Sequence, residues 1–526
     1  MKIMDRIRNG VNRMEEKTGI FKKDVFELEG VPAFRQFYQL YIFIWQFIYK
    51  GFYKAWHDVP MKTINDPKGK RRTMATMNAG KTACSQMARY VWNERCVITA
   101  SMKNNDTDVD LLNEYLQKVL KDNKFWGNFG DLGEKAFALG GCALREWVEV
   151  PKDEKGNDIG EGLVRIGYTI ASQFVPTAWD NARVKSAIFI SREARDGFYY
   201  TVVEWHRMDG TTYRVTNDLY RLPIKEATEP QNILGWWYPL NMIYPLLSPD
   251  TTIQNVQNAY FQYIKPFGAN YADDNSPLGV SIYAPALDTL HTLDIAFDSF
   301  QREFVLGKKR IIAPARAMKS VAINGSVPQR YFDADDEVYE ALATDSAEDL
   351  HITDNSVSLR VQEHVAGINA NLNIFCTQIG FDPGTLSFDA VNGLKTATEV
   401  ISENSKTFGT VKSHENNIKD GLEDMVHAIF DLASRYGITY KGRKVSDLIA
   451  GGYDVAVKFD DSIIQDKDAE VNQGIALVGA GVLSKKKFMK DTLGYTDEEA
   501  EAELKQIAEE KKTSSVDVTK IFGGME

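Results

Sequence analysis

The sequence predicts an α+β chain with a mixed helix-and-sheet body, two long helices flanking a small excursion, and a helical tail. Three observations predict it. Apolar residues recur at helical spacing up to Gly140-Gly141, and from Cys142 to about residue 220 the period changes to strand-like alternation. After a turn cluster at Asp273–Gly279, two long apolar stripes at helical spacing flank an acidic, turn-rich stretch. The 526 residues, 44% hydrophobic and 26% charged, suffice for several packed cores without disulfides.

The charged N-terminus, MKIMDRIRNGVNRMEEKTG, lacks the apolar core of a signal peptide. Tyr38 to Tyr49, YQLYIFIWQFIY, is the most apolar stretch; it is broken by Gln39 and Gln46 and too short to span a bilayer. It is expected to be a buried or subunit-facing helix, with a membrane-surface contact as the alternative. Residues 61 to 80, with Lys68, Lys70, Arg71 and Arg72 around Gly69, read as a basic loop. Ala83, Cys84, Met87, Ala88 and Val91 make the first apolar helix stripe, and Leu111, Leu112, Tyr115, Leu116, Val119 and Leu120 the second. A helix over Leu132–Leu139 ends at Gly140-Gly141. The segments CALREWVEV, GLVRIGYTIA, SAIFIS, FYYTVVEWHR and TYRVTNDLY, separated by KGN, RDG and MDG, then read as an antiparallel sheet.

Leu287, Leu290, Leu293, Phe297, Phe300 and Phe304 mark one face of a helix from about Pro285 to Leu306. Proline suits its first turn, and Gly307 with Lys308, Lys309 and Arg310 suits its end. Its length is roughly 33 Å at 1.5 Å per residue. A second helix over about 358–379 carries Val361, Val365, Ile368, Leu372, Phe375 and Ile379 at alternating spacings of four and three. That narrow seam serves equally for the core of one chain or for a neighbouring helix. A glycine-rich loop, GFDPGTLSFDAVNGLK, leads to a long helix from Thr396 to about Tyr436, with Gly409 and Gly421 as expected bends. YDVAVKFDDSI reads as a strand, and the tail from Asp466 as helices.

Little in the chain looks catalytic. Ala75 to Thr82, ATMNAGKT, approaches the phosphate-cradling G-x-x-x-x-G-K-[ST], but Ala75 replaces the first glycine and no buried strand precedes it. The seven histidines are scattered, and Cys84, Cys96, Cys142 and Cys376 form no C-x-x-C, so neither a metal nor a cofactor is expected. Lys485-Lys486-Lys487 reads as a solvated helix face. A net charge of −11 argues against tight DNA binding, while permitting a surface past which DNA slides.

Several segments, taken in order, resemble portal proteins of long-tailed bacteriophages. They are Tyr49-Lys-Gly-Phe52 with Trp56-His57, Met77 to Arg89 with Asn93-Glu94, Ala136 to Gly141, Ser276-Pro-Leu-Gly279, the helix carrying Asp294, and Lys395 to Val400. Gly80 departs from the pattern, where a larger residue is expected. The resemblance covers residues from about 35 to about 510 and implies a cyclic ring, commonly of twelve copies, at one capsid vertex. It maps a wing onto 1–275, rejoined by 397–465; a stem onto 276–310 and 358–380; a clip onto 311–357; a tunnel loop onto 381–396; and a crown and tail onto 466–526. It implies no enzyme activity. Its partners would be the terminase large subunit, a head–tail adaptor, the capsid and scaffolding proteins, and double-stranded DNA read without sequence specificity. The location would be the virion, after assembly in host cytoplasm. Asp288, Asp294, Asp298 and Glu303 become expected channel-lining acids, and Val361, Val365, Ile368, Leu372 and Phe375 expected subunit-packing residues. Asp389, Asn392, Gly393 and Lys395 become the expected tunnel-loop residues that meet DNA. The competing readings are an ATP-driven translocase using Gly80-Lys81-Thr82 and a membrane-associated scaffold.

Overall fold

The computed structural model describes residues 23–32, 35–63, 66–92, 96–102, 106–151, 160–181, 183–227, 233–307, 310–312, 319–321, 329–331, 353–355, 358–388, 405–459, 467–492, 495 and 500–509. The main helices are α1 (Arg35–Tyr49), α2 (Ala79–Val91), α3 (Asp106–Asp122), α4 (Phe125–Leu139), α5 (Leu287–Leu306), α6 (Val361–Gln378), α7 (Ser405–Arg435), α8 (Lys467–Gly479) and α9 (Lys485–Asp491).

Every residue of the first predicted stripe, Ala83 to Val91, is buried on α2. On α1 one face, Tyr38, Ile42, Trp45 and Ile48, enters the same core, while Leu40 and Tyr41 stay exposed. Two hydroxyls tie that helix to the segment before α5: its own Tyr38 donates to the Gly279 carbonyl at 2.5 Å, and Tyr283 donates to the Trp45 carbonyl at 2.7 Å. The apolar stretch is thus largely used inside the chain. Among the described residues no helix is long and apolar enough to cross a membrane.

Helix α4 stops where foreseen. Gly140 adopts a left-handed conformation, and the Gly279 carbonyl and the Tyr263 hydroxyl fill the space that side chains at 140 and 141 would need. The sheet region then divides in two. A three-stranded sheet orders Phe261–Ile264, Cys142–Glu149 and Leu163–Ile170. A larger antiparallel sheet runs through Phe174–Asp180, Arg183–Arg195, Phe198–Asp209, Thr212–Pro223 and Ile233–Tyr238. Lys23–Asp24 and Asp250–Ile253 pair onto it.

The C-terminal half returns to this body. Strand Asp454–Lys458 pairs antiparallel with Val97–Ser101, and α7 lays Leu422, Met425, Val426, Ile429 and Phe430 into the shared core. Helix α7 is continuous through Gly409 and Gly421. At Gly421 the requirement is space, because Ile264 comes within 2.5 Å of where a Cβ would sit. Its foreseen start at Thr396 lies outside the described residues.

The basic loop foreseen over 61–80 is largely a β-hairpin, Asp58–Thr63 against Asp66–Thr73. Its strands, DVPMKT and DPKGKRRT, carry no apolar alternation, so the sequence looks like loop. In the excursion after α5, the described residues pair as Arg310–Ile312 with Thr353–Asn355 and Lys319–Val321 with Gln329–Tyr331.

Candidate functional site

Helices α5 and α6 pack against each other, and their outer ends converge on one ion pair. Arg360 donates to Glu303 from Nε at 3.1 Å and from Nη2 at 3.0 Å. The Arg360 guanidinium holds the Glu303 carboxyl well below its usual range, at about 2. His364 lies 3.7 Å from the same carboxylate, with its ring against Phe300.

Toward the body, α5 meets the segment between the hairpin and α2. Asp294 Oδ1 accepts from Thr76 Oγ1 at 2.8 Å and from the Met77 N–H at 2.9 Å. Its Oδ2 accepts from His57 Nε2 at 3.0 Å. On the other side of the ring, Nδ1 lies 2.8 Å from the Tyr53 N–H and 3.1 Å from the Tyr53 carbonyl, so the imidazole bridges Tyr53 and the aspartate. One turn on, Asp298 accepts both terminal nitrogens of Arg72 at 2.7 Å, and Oδ1 also accepts from the Ala75 N–H at 3.0 Å. Burial works against the Asp298 charge, yet Arg72 and the Ala75 N–H outweigh it and its pKa lies below the ordinary value. Spacing of four residues puts both carboxylates on one face of α5, where they meet consecutive turns of one loop.

This geometry corrects the expected channel lining. Asp294 and Asp298 are each only 7% exposed, and their oxygens are engaged by the chain itself. Glu303 is committed to Arg360. Of the four acids only Asp288 is exposed. The segment that resembles a phosphate loop is engaged in the same place. The strand before it belongs to an antiparallel hairpin, and the Ala75 and Met77 N–H groups point at aspartates of α5. Asn78 enters α2 in a left-handed conformation, and Thr82 Oγ1 donates to the Asn78 carbonyl at 3.3 Å. Residues 75–77, with His57 and Arg72, form a carboxylate clamp.

The expected subunit seam is corrected too. Ile368, Leu372 and Phe375 are 0%, 1% and 0% exposed, closed within the chain's own core, while Val361 and Val365 are half-buried. The apolar side chains that α5 and α6 leave exposed are different ones: Ile295, Phe304, Val305, Leu306 and Ile374, with Leu359 just before α6. Asp389, Asn392, Gly393 and Lys395 lie outside the described residues.

Sequence reasoning missed His57, Arg72 and Thr76 as partners of α5. Trp56-His57 and Ala75–Thr82 stood out in the sequence for other reasons, but nothing local links them to a helix more than 200 residues away. A cleft of about 840 Å³ opens beside α7, lined by Arg183, Gln262, Asp424, Asp431 and Arg435 among others. Two of its ion pairs are internal, Arg183 with Asp424 at 3.1 Å and Arg435 with Asp431 at 2.7 Å. Among the described residues, no cluster of three or more His, Cys, Asp or Glu side chains could hold a metal.

The family model described as "Phage portal protein, SPP1 Gp6-like" matches residues 45–517. The chain belongs to this portal protein family. The match takes in the clamp, the α5–α6 pair and all of α7. No curated protein matches the chain. Among solved structures, the neck of an empty GTA particle, computed with C6 symmetry, is similar at 12% identity and a TM-score of 0.35. That similarity covers 78% of this chain and 88% of the other. A likeness this loose bears on neither the architecture nor the assembly of the portal chain.

Proposed function

We propose that the chain is a ring-forming portal subunit at one vertex of a tailed-phage capsid, through which DNA is packaged, retained and released. The family match over residues 45–517 carries this reading. The exposed apolar side chains of α5 and α6 support it, since large apolar groups left on a surface mark a contact to be made. A closed ring needs a head-to-tail interface, and twelve copies is the number the family resemblance suggests. In this reading the α5–α6 pair is the stem, 311–357 the clip that receives the terminase large subunit, and 381–396 the tunnel loop. A head–tail adaptor and the capsid and scaffolding proteins complete the contacts. The body would be the wing, and the tail beyond residue 466 the crown.

The acidic balance fits passage of DNA. Each copy brings a formal net charge of −11, so a ring concentrates negative potential that repels phosphate. Asp288 is the α5 acid left free to contribute to a lining, and Lys395 a cation that can hold phosphate weakly at the tunnel loop. The subunit itself hydrolyses no ATP, and the motor is a separate terminase. Negative-stain imaging of the purified chain tests the assembly: rings with a central hole are expected, and a strictly monomeric or dimeric particle contradicts it. ATP turnover that disappears on Lys81→Ala would overturn the non-enzymatic reading.

A further inference from the structure

The cleft beside α7 takes no part in the clamp or in the α5–α6 pair. Its floor is the strand Phe261–Ile264 with Tyr260 before it. Side chains alternate along a strand. Tyr260 donates to Asp431 of α7 at 2.5 Å, and Ile264 packs at Gly421, so Gln262 faces α7 between them. Gln262 lines the cleft although only 6% exposed. Its Nε2 donates to Glu146 Oε2 at 3.2 Å, and Glu146, on the neighbouring strand, is 3% exposed. Gln262 Oε1 and Glu146 Oε1 have no hydrogen-bond partner among the described residues. Adjacent buried oxygens without partners are costly, and a group bearing several donors would satisfy both.

The rim supplies charge. Asp420, Asp424 and Asp431 follow at spacings of four and seven residues on the cleft side of α7, a row roughly 16 Å long at 1.5 Å per residue. Arg183 pairs with Asp424 at 3.1 Å and Arg435 with Asp431 at 2.7 Å. Asp420 is exposed and makes no ion pair among the described residues. Two acid groups are therefore left without a cation, Asp420 at the rim and Glu146 at the floor. Burial first, and then the Asp424 charge, hold the Glu146 carboxyl well above its usual range. The other titratable groups near it are the Tyr168 and Tyr213 phenols, and the adjacent Arg145 is turned to Glu204.

We propose that the cleft binds a short alkyl diamine, with one ammonium on Gln262 and Glu146 at the floor and the other on Asp420 at the rim. The two positive ends match the two acid groups that lack a cation. An ammonium carries three donors and no acceptor, which suits a floor whose unpartnered atoms are oxygens. The methylene stem between the ends lies along Val184 and Ala428, two apolar residues of the cleft wall. A cation beside Glu146 favours its ionised form, so the carboxyl gives up its proton as the diamine enters. Affinity therefore rises with pH, because the proton that must leave is held less tightly. The site lies within one chain and stands apart from the ring reading.

The test is calorimetric titration of the purified full chain with cadaverine, in buffers of different ionisation enthalpy and at physiological salt. Saturation at one diamine per subunit is expected, with release of about one proton by linkage. Magnesium, a dication without the alkyl spacing, should release no proton and should not displace cadaverine. Glu146→Gln puts a neutral amide of the same shape in place of the carboxyl. It should keep the fold, abolish the proton release and weaken binding about tenfold, the worth of one hydrogen bond to a charged group. Asp420→Asn, on the exposed rim, should weaken binding several-fold with the proton release intact. No binding, equal competition by magnesium, or proton release unchanged in Glu146→Gln overturns the proposal. So does binding to dissociated subunits that assembled rings lose while Asp420 becomes carbodiimide-linked to a lysine of another copy. That result would assign the ammonium to a neighbouring side chain and remove the free diamine.

Discussion

The two ends of α5 are built differently. Toward the body, Asp294 and Asp298 are buried, and six hydrogen-bond donors from His57, Arg72, Ala75, Thr76 and Met77 converge on them. At the far end Phe304, Val305 and Leu306 are 45%, 62% and 54% exposed, beside an Arg360–Glu303 pair open to solvent. A chain that satisfies buried carboxylates this fully and leaves three consecutive large apolar groups uncovered has finished one end and not the other. The body end is a fixed mount. The far end keeps apolar surface exposed, which the proposed ring would cover.

That contrast can be broken from several sides. The largest effect is expected at the seam on α6. Ile368→Asp or Leu372→Asp places an unpaired charge in a closed core, which costs several kcal/mol. Loss of the folded subunit, read by circular dichroism and solubility, is the expected outcome. A well-folded subunit that merely fails to form rings would return the seam to the interface.

Next comes the mount. Asp298→Ala leaves Arg72 and the Ala75 N–H without their acceptor and should destabilise the subunit by on the order of 3 kcal/mol in chemical denaturation. Asp288→Ala, on the exposed side of the same helix, should change stability by less than about 0.5 kcal/mol. Equal effects would erase the distinction between clamped and free acids.

The body core also supplies a pH test. Burial lowers the His414 pKa to about 4, and the Phe267 N–H donates to its Nδ1 at 2.9 Å. The folded pKa is below the unfolded one, so the unfolded chain takes up the proton first. Stability is therefore full above the ordinary histidine value near 6.5, falls as pH drops toward about 4, and levels below that. The loss attributable to this group is on the order of 3 kcal/mol. His414→Asn, which can keep an acceptor for the Phe267 N–H, should flatten the stability profile across that window. An unchanged slope would remove His414 as its source.

The smallest effect on the isolated subunit belongs to the far end. Val305→Ser and Leu306→Ser should shift its stability by no more than about 0.5 kcal/mol, as surface changes do. The same variants should weaken assembly, measured by native mass spectrometry across a dilution series. A large loss of subunit stability would show that these side chains are already packed within the chain.

What could be read in advance followed from periodicity. The stripes of α2, α3 and α5 recur every three or four residues, so their faces were visible, as were the approximate ends of α5 and the change to strands after Gly141. Partners were not visible. The α6 seam has one pattern for two uses, and only the placement of α5 and the body shows that Ile368, Leu372 and Phe375 serve the chain's own core. Asp294 and Asp298 looked like free acids because their partners lie 217 to 237 residues away in sequence. The hairpin at 58–73 was invisible for another reason: its strands, DVPMKT and DPKGKRRT, carry no apolar alternation.

Hydrogen exchange along α5, in dissociated subunits and in assembled rings, tests the contrast most directly. Amides around Asp294 to Asp298 should be equally protected in both states, because the mount is complete in one chain. Amides from Ser299 to Leu306 should gain protection only in rings. Equal protection along the whole helix in the isolated subunit, or a gain on assembly centred on Asp294, would contradict a finished body end and an unfinished far end.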